Sequence, residues 1–221
     1  AERSMLAAVG GSFNIQVFTF NRYAGLIAPE TLKPLSGQMA VLEVMKVIEQ
    51  NADRLVCFSG AGNTEGFARK IYDVISLLKY NSISPEKLLC ACDDTALSLK
   101  LKDIALVYSA FQASVENRYL DSADKLETLL NAVGSSEQVK KSVYYIYDFD
   151  GLSVQEEAIV ESLVRYSRGV YAACAAGAGY MYSNGFYASL NRIAAKTGGC
   201  REINVREDGS EVLSAREKAL L

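Results

Sequence analysis

Ser142-Val143-Tyr144-Tyr145-Ile146-Tyr147-Asp148, then Ser153-Val154-Gln155-Glu156, then Gly169-Val170-Tyr171-Ala172-Ala173-Cys174: these three runs decide the fold class. The first is continuously apolar and aromatic and closes on acids, the pattern of a strand buried in a parallel sheet. The second is a Ser-x-x-Glu capping box, which opens a helix carrying Ile159, Leu163 and Val164. The third reads as another buried strand. Strand, helix and strand in that order make a β-α-β unit, and such units favour a parallel sheet with a right-handed crossover. Downstream, Gly185 to Lys196 has helical periodicity and Arg201–Val205 reads as a short strand.

Upstream, Asn14-Ile15-Gln16-Val17-Phe18-Thr19-Phe20 is rich in β-formers and alternates, which predicts a strand over 14–20 after the turn Gly10-Gly11-Ser12. Met5, Leu6, Ala8 and Val9 predict a helix before it. Between 28 and 140 the periodicity is helical. Val41, Leu42, Met45 and Ile48 share one face, as do Phe67, Ile71, Val74, Ile75 and Leu78. Ser84-Pro85-Glu86 is a helix start, with Ser as N-cap and Pro at the first helical position. Leu101, Ile104, Ala105, Tyr108, Phe111 and Val115 mark a long helix. Asp121 or Ser122 caps the next, with Leu126, Leu129 and Leu130 turned inward. Arg54–Ser59 reads as a strand within this helical stretch. The expected architecture is α/β: a parallel-sheet lobe over 1–27 and 141–221, interrupted by an all-helical insertion over 28–140. Both ends read as helix without caps, which predicts a stretch taken from a longer chain.

The composition narrows the chemistry. Of 221 residues, half are apolar and 22% charged, the balance of a globular protein, and the net charge is −3. That charge gives no overall basic surplus for nucleic acid, so any phosphate contact must be local. No apolar run is long enough to span a bilayer and no secretory leader is visible, which predicts no membrane partner. There is no His, which removes Ser–His and Cys–His catalysis and His-ligated zinc from this stretch. Five Cys at irregular spacing, without a C-x-x-C pair, predict reduced thiols and a cytoplasmic setting. Cys90-Ala91-Cys92 offers two soft ligands, or simply two small residues at a helix end.

Three local patterns carry candidate chemistry. Phe58-Ser59-Gly60-Ala61-Gly62-Asn63-Thr64-Glu65-Gly66 is similar to the phosphate loop of flavodoxins and would cradle FMN at a helix N-terminus. Its bland reading is a loop with Thr64 as N-cap. Asp148 and Asp150 stand at the carboxyl end of a strand, where an acid helps hold Mg²⁺ in nucleotide-binding sheets. The alternative is a loop whose acids favour the next helix N-terminus. Thr19, Asn21 and Arg22 close the first expected strand, at the edge where open α/β sheets bind ligands. Arg22 there meets a DNA phosphate or only solvent. Tyr144, Tyr145 and Tyr147 read as packing residues rather than base platforms. No Gly-Lys dipeptide occurs, so a nucleotide P-loop is absent from the chain.

Several stretches in order resemble one family. They are Ala1-Glu2-Arg3; Gly10-Gly11-Ser12-Phe13-Asn14; Phe18-Thr19-Phe20-Asn21-Arg22-Tyr23; Gly66-Phe67-Ala68; Leu77-Leu78-Lys79-Tyr80; and Ile83-Ser84-Pro85-Glu86-Lys87-Leu88. Leu101-Lys102-Asp103-Ile104-Ala105-Leu106-Val107-Tyr108, Arg118-Tyr119-Leu120-Asp121, Leu152-Ser153-Val154-Gln155-Glu156 and Tyr182-Ser183-Asn184-Gly185-Phe186 continue the series. Together they are similar to the N-terminal region of the AddB-type (RexB-type) component of AddAB-type helicase–nucleases. The resemblance implies a superfamily 1 helicase-like lobe 1A with a helical subdomain 1B inserted. It makes Thr19-Phe20-Asn21-Arg22 the counterpart of a DNA-contacting helicase motif, and Asp148 and Asp150 a degenerate counterpart of the acidic box. It implies DNA and the A subunit of the heterodimer as partners, with ATP/Mg and an iron–sulfur cluster held elsewhere in the parent protein. The function it implies is processing of DNA double-strand breaks for recombinational repair, with this stretch non-catalytic. An FMN-binding protein and a ligand-free interaction module are the alternatives.

Overall fold

The structure is a computed structural model and describes residues 15–28, 32–59, 64–93, 95–147, 149–174, 184–201, 203–205 and 211–212. The expected helix at Met5–Val9 and the turn at Gly10–Ser12 lie outside these residues. The described chain is mostly helical, with small sheets of two strands each. Its first helix, α1, is Phe20–Ile27, followed by β1, Lys33–Pro34, and α2, Gly37–Gln50. Then come α3, Glu65–Tyr80; α4, Pro85–Cys90; α5, Ala96–Val115; β2, Tyr119–Leu120; α6, Ser122–Val133; and α7, Glu137–Lys141. The last part runs β3, Val143–Tyr147; α8, Val154–Tyr166; β4, Gly169–Ala173; α9, Asn184–Thr197; β5, Asn204–Val205; and β6, Glu211–Val212.

The β-α-β unit forms as expected. β3 and β4 pair in parallel, with Val143 opposite Gly169 and Tyr147 opposite Ala173. α8 starts at the capping box: the Ser153 hydroxyl accepts the Glu156 N–H, and the Glu156 carboxylate accepts the Ser153 N–H at 2.8 Å. The α/β expectation therefore holds in this form. β5 and β6 pair antiparallel and β1 and β2 in parallel.

Two expected strands are not there. Residues 15–19 are not a strand, and α1 begins at Phe20. The cause is local: the Thr19 side chain accepts the Arg22 N–H, so Thr19 is an N-cap and not a strand end. Among the described residues no strand lies alongside 15–19 to select the apolar alternation. Arg54–Ser59 is also not a strand. A 3₁₀ turn, Ala52–Arg54, leads into a loop whose N–H groups are gathered by one side chain. Asp103, buried within α5, accepts from Val56 at 3.0 Å, Cys57 at 2.7 Å and Phe58 at 3.0 Å. A charged acceptor that satisfies three backbone donors makes a sheet ladder unnecessary.

The helix signals are sound. Ser84 caps α4, with Pro85 at its first position, and Asp121 caps α6. Ile71, Ile75, Ala105, Tyr108, Phe111 and Val115 are buried in one core, packed between α2, α3 and α5. Leu42 and Val74, expected on the inner faces, are exposed; Ala40, Val44 and Val47 fill the α2 interface instead. A second core joins Tyr23 and Ala24 of α1, Leu126, Leu129 and Val133 of α6, Val139 of α7, and Ile159 and Leu163 of α8. Each fully buried Leu, Ile or Val among them stabilises by ~1.5–3 kcal/mol. This second core draws on the stretches 1–27, 28–140 and 141–221 together.

β3 and β4 are buried on one face only. Ile146 is 7% exposed and Tyr144 and Val170 pack on the second core, yet Val143, Tyr145, Tyr147 and Tyr171 are exposed. The fully buried strands expected at 142–148 and 169–174 are therefore half-buried. Tyr144 is a packing residue as expected; Tyr145 and Tyr147 are not. α8 covers one face, and no described element covers the other.

Candidate nucleic-acid interface at the carboxyl end of β3

The sequence-predicted residues Thr19, Asn21 and Arg22 sit on the first turn of α1 and just before it. Thr19 and Arg22 are exposed, and the Arg22 guanidinium lies over the Phe18 ring, 5.5 Å from its centroid. That cation–π contact holds the charge near the surface without neutralising it. The Asn21 amide oxygen is enclosed without a hydrogen-bond donor, so it is shut off from the surface and is not a contact for a ligand. The N-terminal N–H groups of α1 add a partial positive charge beside Arg22. Helix start and guanidinium together suit an anionic oxygen better than a cation.

A chain of aromatic rings connects this turn to the end of β3. Phe20 packs on Phe149 with centroids 5.6 Å apart, and Phe149 packs on Phe186 at 5.6 Å. Phe186 is fully buried, and Cys174, just after β4, packs on the same cluster. The loop after β3 also touches the start of α9. A Cβ at Gly185 would stand 2.7 Å from the Asp150 carbonyl oxygen, so the close approach of these two backbones requires glycine. Thus the α1 start, the loop carrying Asp150 and the α9 start meet beyond the carboxyl end of β3, where parallel sheets place ligands. Asp150 is exposed. Asp148 lies outside the described residues. The convergence of α9 was not legible in the sequence; the Asn184-Gly185 pair held the only signal.

The α1 turn is also fixed from behind. The Tyr23 hydroxyl makes a short hydrogen bond with that of Tyr144 on β3. Burial, reinforced by this bond, pushes the Tyr23 hydroxyl well above the usual phenol range. Tyr23 stacks edge-on against Tyr144 at 5.7 Å and lies 5.9 Å from Phe18. The helix bearing Arg22 is thereby tied to the strand bearing the acidic loop.

Other candidate chemistry fares differently. Thr64 accepts the Phe67 N–H and caps α3, whose first residue is Glu65. The preceding strand that a flavin phosphate loop needs is missing at Arg54–Ser59, and Glu65 places negative charge at that helix start. Gly60 to Asn63 lie outside the described residues. Cys90 and Cys92 have no third ligand: among the described residues no group of three His, Cys, Asp or Glu could hold a metal. Nor does the chain have the Gly-Lys of a P-loop for ATP. Among the described residues, no ligand set for Mg²⁺ or an iron–sulfur cluster is gathered. A cleft of about 210 Å³ is lined by Tyr72, Ser76, Tyr80, Asp121, Ser122 and Ala123, but its one carboxylate is already held by Lys79 and the Asp124 N–H. No described helix is long and apolar enough to cross a membrane.

These features define a class: a mostly helical α/β chain with a parallel pair whose carboxyl end gathers polar groups. Comparison with known proteins is more specific. The chain belongs to the AddB N-terminal family, whose model (ADDB, N-terminal) matches residues 1–207. Its relatives are B subunits of ATP-dependent helicase/deoxyribonucleases. The one from Clostridium botulinum (strain Loch Maree / Type A3) is 29% identical over 159 residues, covering 69% of this chain and 14% of that protein. The one from Clostridium novyi (strain NT) is 28% identical over 173 residues, covering 74% and 15%. The one from Clostridioides difficile (strain 630) is 32% identical over 130 residues, covering 58% and 11%. The chain spans about a seventh of the length of the curated relatives it matches.

Proposed function

We propose that this chain is a DNA-binding and scaffold region of the AddB-type component of a helicase–nuclease that processes DNA double-strand breaks for recombinational repair. The observation that carries the proposal is the α1 start: an exposed Arg22 beside a helix N-terminus, seated at the carboxyl end of a parallel pair. Membership of the AddB family supports it, since the matched relatives are named as helicase/deoxyribonuclease subunits. The lobe containing β3, α8 and β4 corresponds in this reading to a helicase-like 1A lobe, with the helical stretch 28–140, α2 to α7, as its insertion. The partner is the A subunit of the heterodimer, and the DNA contact is to phosphate, supplied by Arg22 with Thr19 and the side-chain N–H of Asn21. Asp148 and Asp150 then flank the strand's end without a metal role. The region binds and supports, and it performs no covalent step, for want of His and of a P-loop lysine.

Fluorescence anisotropy of a labelled single-stranded oligonucleotide at low salt tests this reading. Arg22→Ala should weaken binding several-fold, and Arg69→Ala, on a residue engaged with Glu65 at 2.7 Å, should leave it unchanged. Equal affinities for all three proteins would reject it and favour a pure interaction module.

A further inference from the structure

The buried side chains sort into two bodies. Among the described residues, the core between α2, α3 and α5 shares no member with either other core, whereas those two share Phe20 and Val170. The helices α2, α3 and α5, with α4 packed on α5, are therefore one body. The rest, from α1 through α6 to α9, is the other. The first body is a single inserted stretch, so the chain crosses between bodies twice, through β1 going in and β2 coming out. These crossings lie side by side. Lys33 stands opposite Tyr119 and Pro34 opposite Leu120, and the Leu35 N–H donates to the Leu120 carbonyl at 2.9 Å. Just before β2, Asn117 takes a left-handed φ of 59°, which turns the chain within one residue. Two adjacent crossings bend together about one line, and hinges place such changes in a few residues at element ends.

The seam between the bodies is polar where α3 faces α6. Tyr72, Ser76 and Tyr80 of α3 form one wall, Asp121, Ser122 and Ala123 the other, and about 210 Å³ of cleft lies between them. A space of that size among hydroxyls and a carboxylate admits water. Lys79 spans the seam to Asp121 and Asp124, at 2.5 and 2.6 Å. Tyr80 adds an apolar contact to the second core. Parting such a seam exposes little apolar surface, so it takes far less free energy than unfolding either core. We infer that the body α2–α5 swings on the β1–β2 pair and that Lys79, with Asp121 and Asp124, clasps it closed. Opening carries α3 away from α6 and widens the cleft. It leaves both cores intact, and it leaves α1, which packs on α6, with the other body. This inference goes beyond the DNA contact at Arg22 and does not rest on it.

Acetylation of lysines by an N-hydroxysuccinimide ester, read by mass spectrometry on the unaltered chain, tests this at urea concentrations below the unfolding transition. The urea slope of an opening reports how much surface it exposes. Amide exchange of Phe111 and Leu129, each fully buried in its own core, gives the slope for unfolding. The Lys79 amine should react with a slope much smaller than theirs, and far more slowly than exposed Lys100. The backbone amides of Lys79, inside α3, and of Leu35, bonded across the β1–β2 pair, should keep the unfolding slope. Asp124→Asn removes one ion pair and leaves Asp121 as the cap. It should speed Lys79 acetylation about three- to fivefold, with the slope still small. A Lys79 slope equal to that of the core amides overturns the swing, since the side chain then meets water only on unfolding. A small slope at the Lys79 amide means that the end of α3 frays instead, and one at Leu35 means that the crossings part. A small slope at Phe111 means that the helical body is not rigid, and Lys79 as reactive as Lys100 means that no closed state exists; each overturns the inference. An unchanged rate in Asp124→Asn overturns the clasp. No readout here involves DNA, so failure of the swing and failure of the Arg22 reading are separable.

Discussion

Lys79 on α3 reaches Asp121, the N-cap of α6, with its Nζ 2.5 Å from Oδ2, and lies 2.6 Å from Asp124 on the first turn of the same helix. Lys79 and Asp121 are both nearly inaccessible to water. Burial lowers the lysine's pKa, but the two carboxylates raise it more, so it stays charged above the usual range. Asp124 is pushed up, by burial and by the neighbouring Asp121 charge, more than Lys79 pulls it down. The triad fixes the helical stretch to α6 and hence to the core beneath α1. Replacing Lys79 with Met leaves Asp121 buried without its counter-ion and should cost about 3 kcal/mol in urea unfolding, the lower end for a broken buried pair, since Asp124 keeps some access to water. A loss under about 1 kcal/mol would show the triad to be a surface-like pair.

Alkaline titration should separate the tyrosines. The chain has 13. Burial raises Tyr23 and Tyr72, and it pushes Tyr108 up to about 12. The fold thus favours their neutral forms. The stability they add is fully present below about pH 10, the phenol value in an unfolded chain, and is lost as pH rises through the higher folded values. Phenolate absorbance should therefore rise in two phases, with Tyr23, Tyr72 and Tyr108 in the second. The late phase should coincide with loss of helical circular dichroism. A single phase near the ordinary phenol value of about 10, with the helices intact, would be the contrary outcome.

Two glycines should respond oppositely to alanine. At Gly185 the new Cβ would meet the Asp150 carbonyl at 2.7 Å, backbone against backbone. Gly185→Ala should cost about 1–3 kcal/mol by forcing the two segments apart, and it should weaken oligonucleotide binding as well. At Gly66, on the first turn of α3, nothing lies within 4 Å. Gly66→Ala should stabilise by up to about 1 kcal/mol through helix propensity. Thermal unfolding of both variants checks the pair, and a neutral Gly185→Ala would dismiss the proposed contact.

Asp103 shows where sequence reading stops. Its partners lie more than 40 positions away at Val56, Cys57 and Phe58, and nothing local in Lys102-Asp103-Ile104 distinguishes a buried acceptor from a solvated charge. Asp103→Ala should cost at least about 2 kcal/mol and accelerate amide exchange at those three residues. Asp103→Asn should fall between, keeping one acceptor oxygen. Unchanged exchange in both variants would show the loop to be held by other means.

By contrast, signals complete within a few residues were legible. Ser84-Pro85 and the Ser153–Glu156 box start helices where expected, because cap and helix need no distant partner. The parallel pairing of 143–147 with 169–173 was legible too, since a helix of fixed length joins the strands. The expected strand at 14–20 gave way to an N-cap at Thr19, because alternation specifies a strand only where a neighbour exists to pair with it. The burial of β3 differs from expectation for a related reason: Tyr145 and Tyr147 look like core residues in a run, and only the presence of a second layer decides. At the candidate site, Thr19, Asn21 and Arg22 stand out in the sequence, but as the end of a strand rather than the start of a helix. The ring chain from Phe20 through Phe149 to Phe186 was invisible because its members lie far apart in sequence.

The most direct test of the central claim is the salt dependence of oligonucleotide binding. Phosphate contact displaces counterions, so the logarithm of affinity falls linearly with that of salt concentration, and each contact adds roughly 0.7 to the slope for a single strand. Arg22→Ala should reduce the slope by about one contact and weaken binding alike across sequences. A slope identical to that of the unaltered chain, with unchanged affinity, would contradict the assignment of Arg22 and the α1 start as a phosphate site.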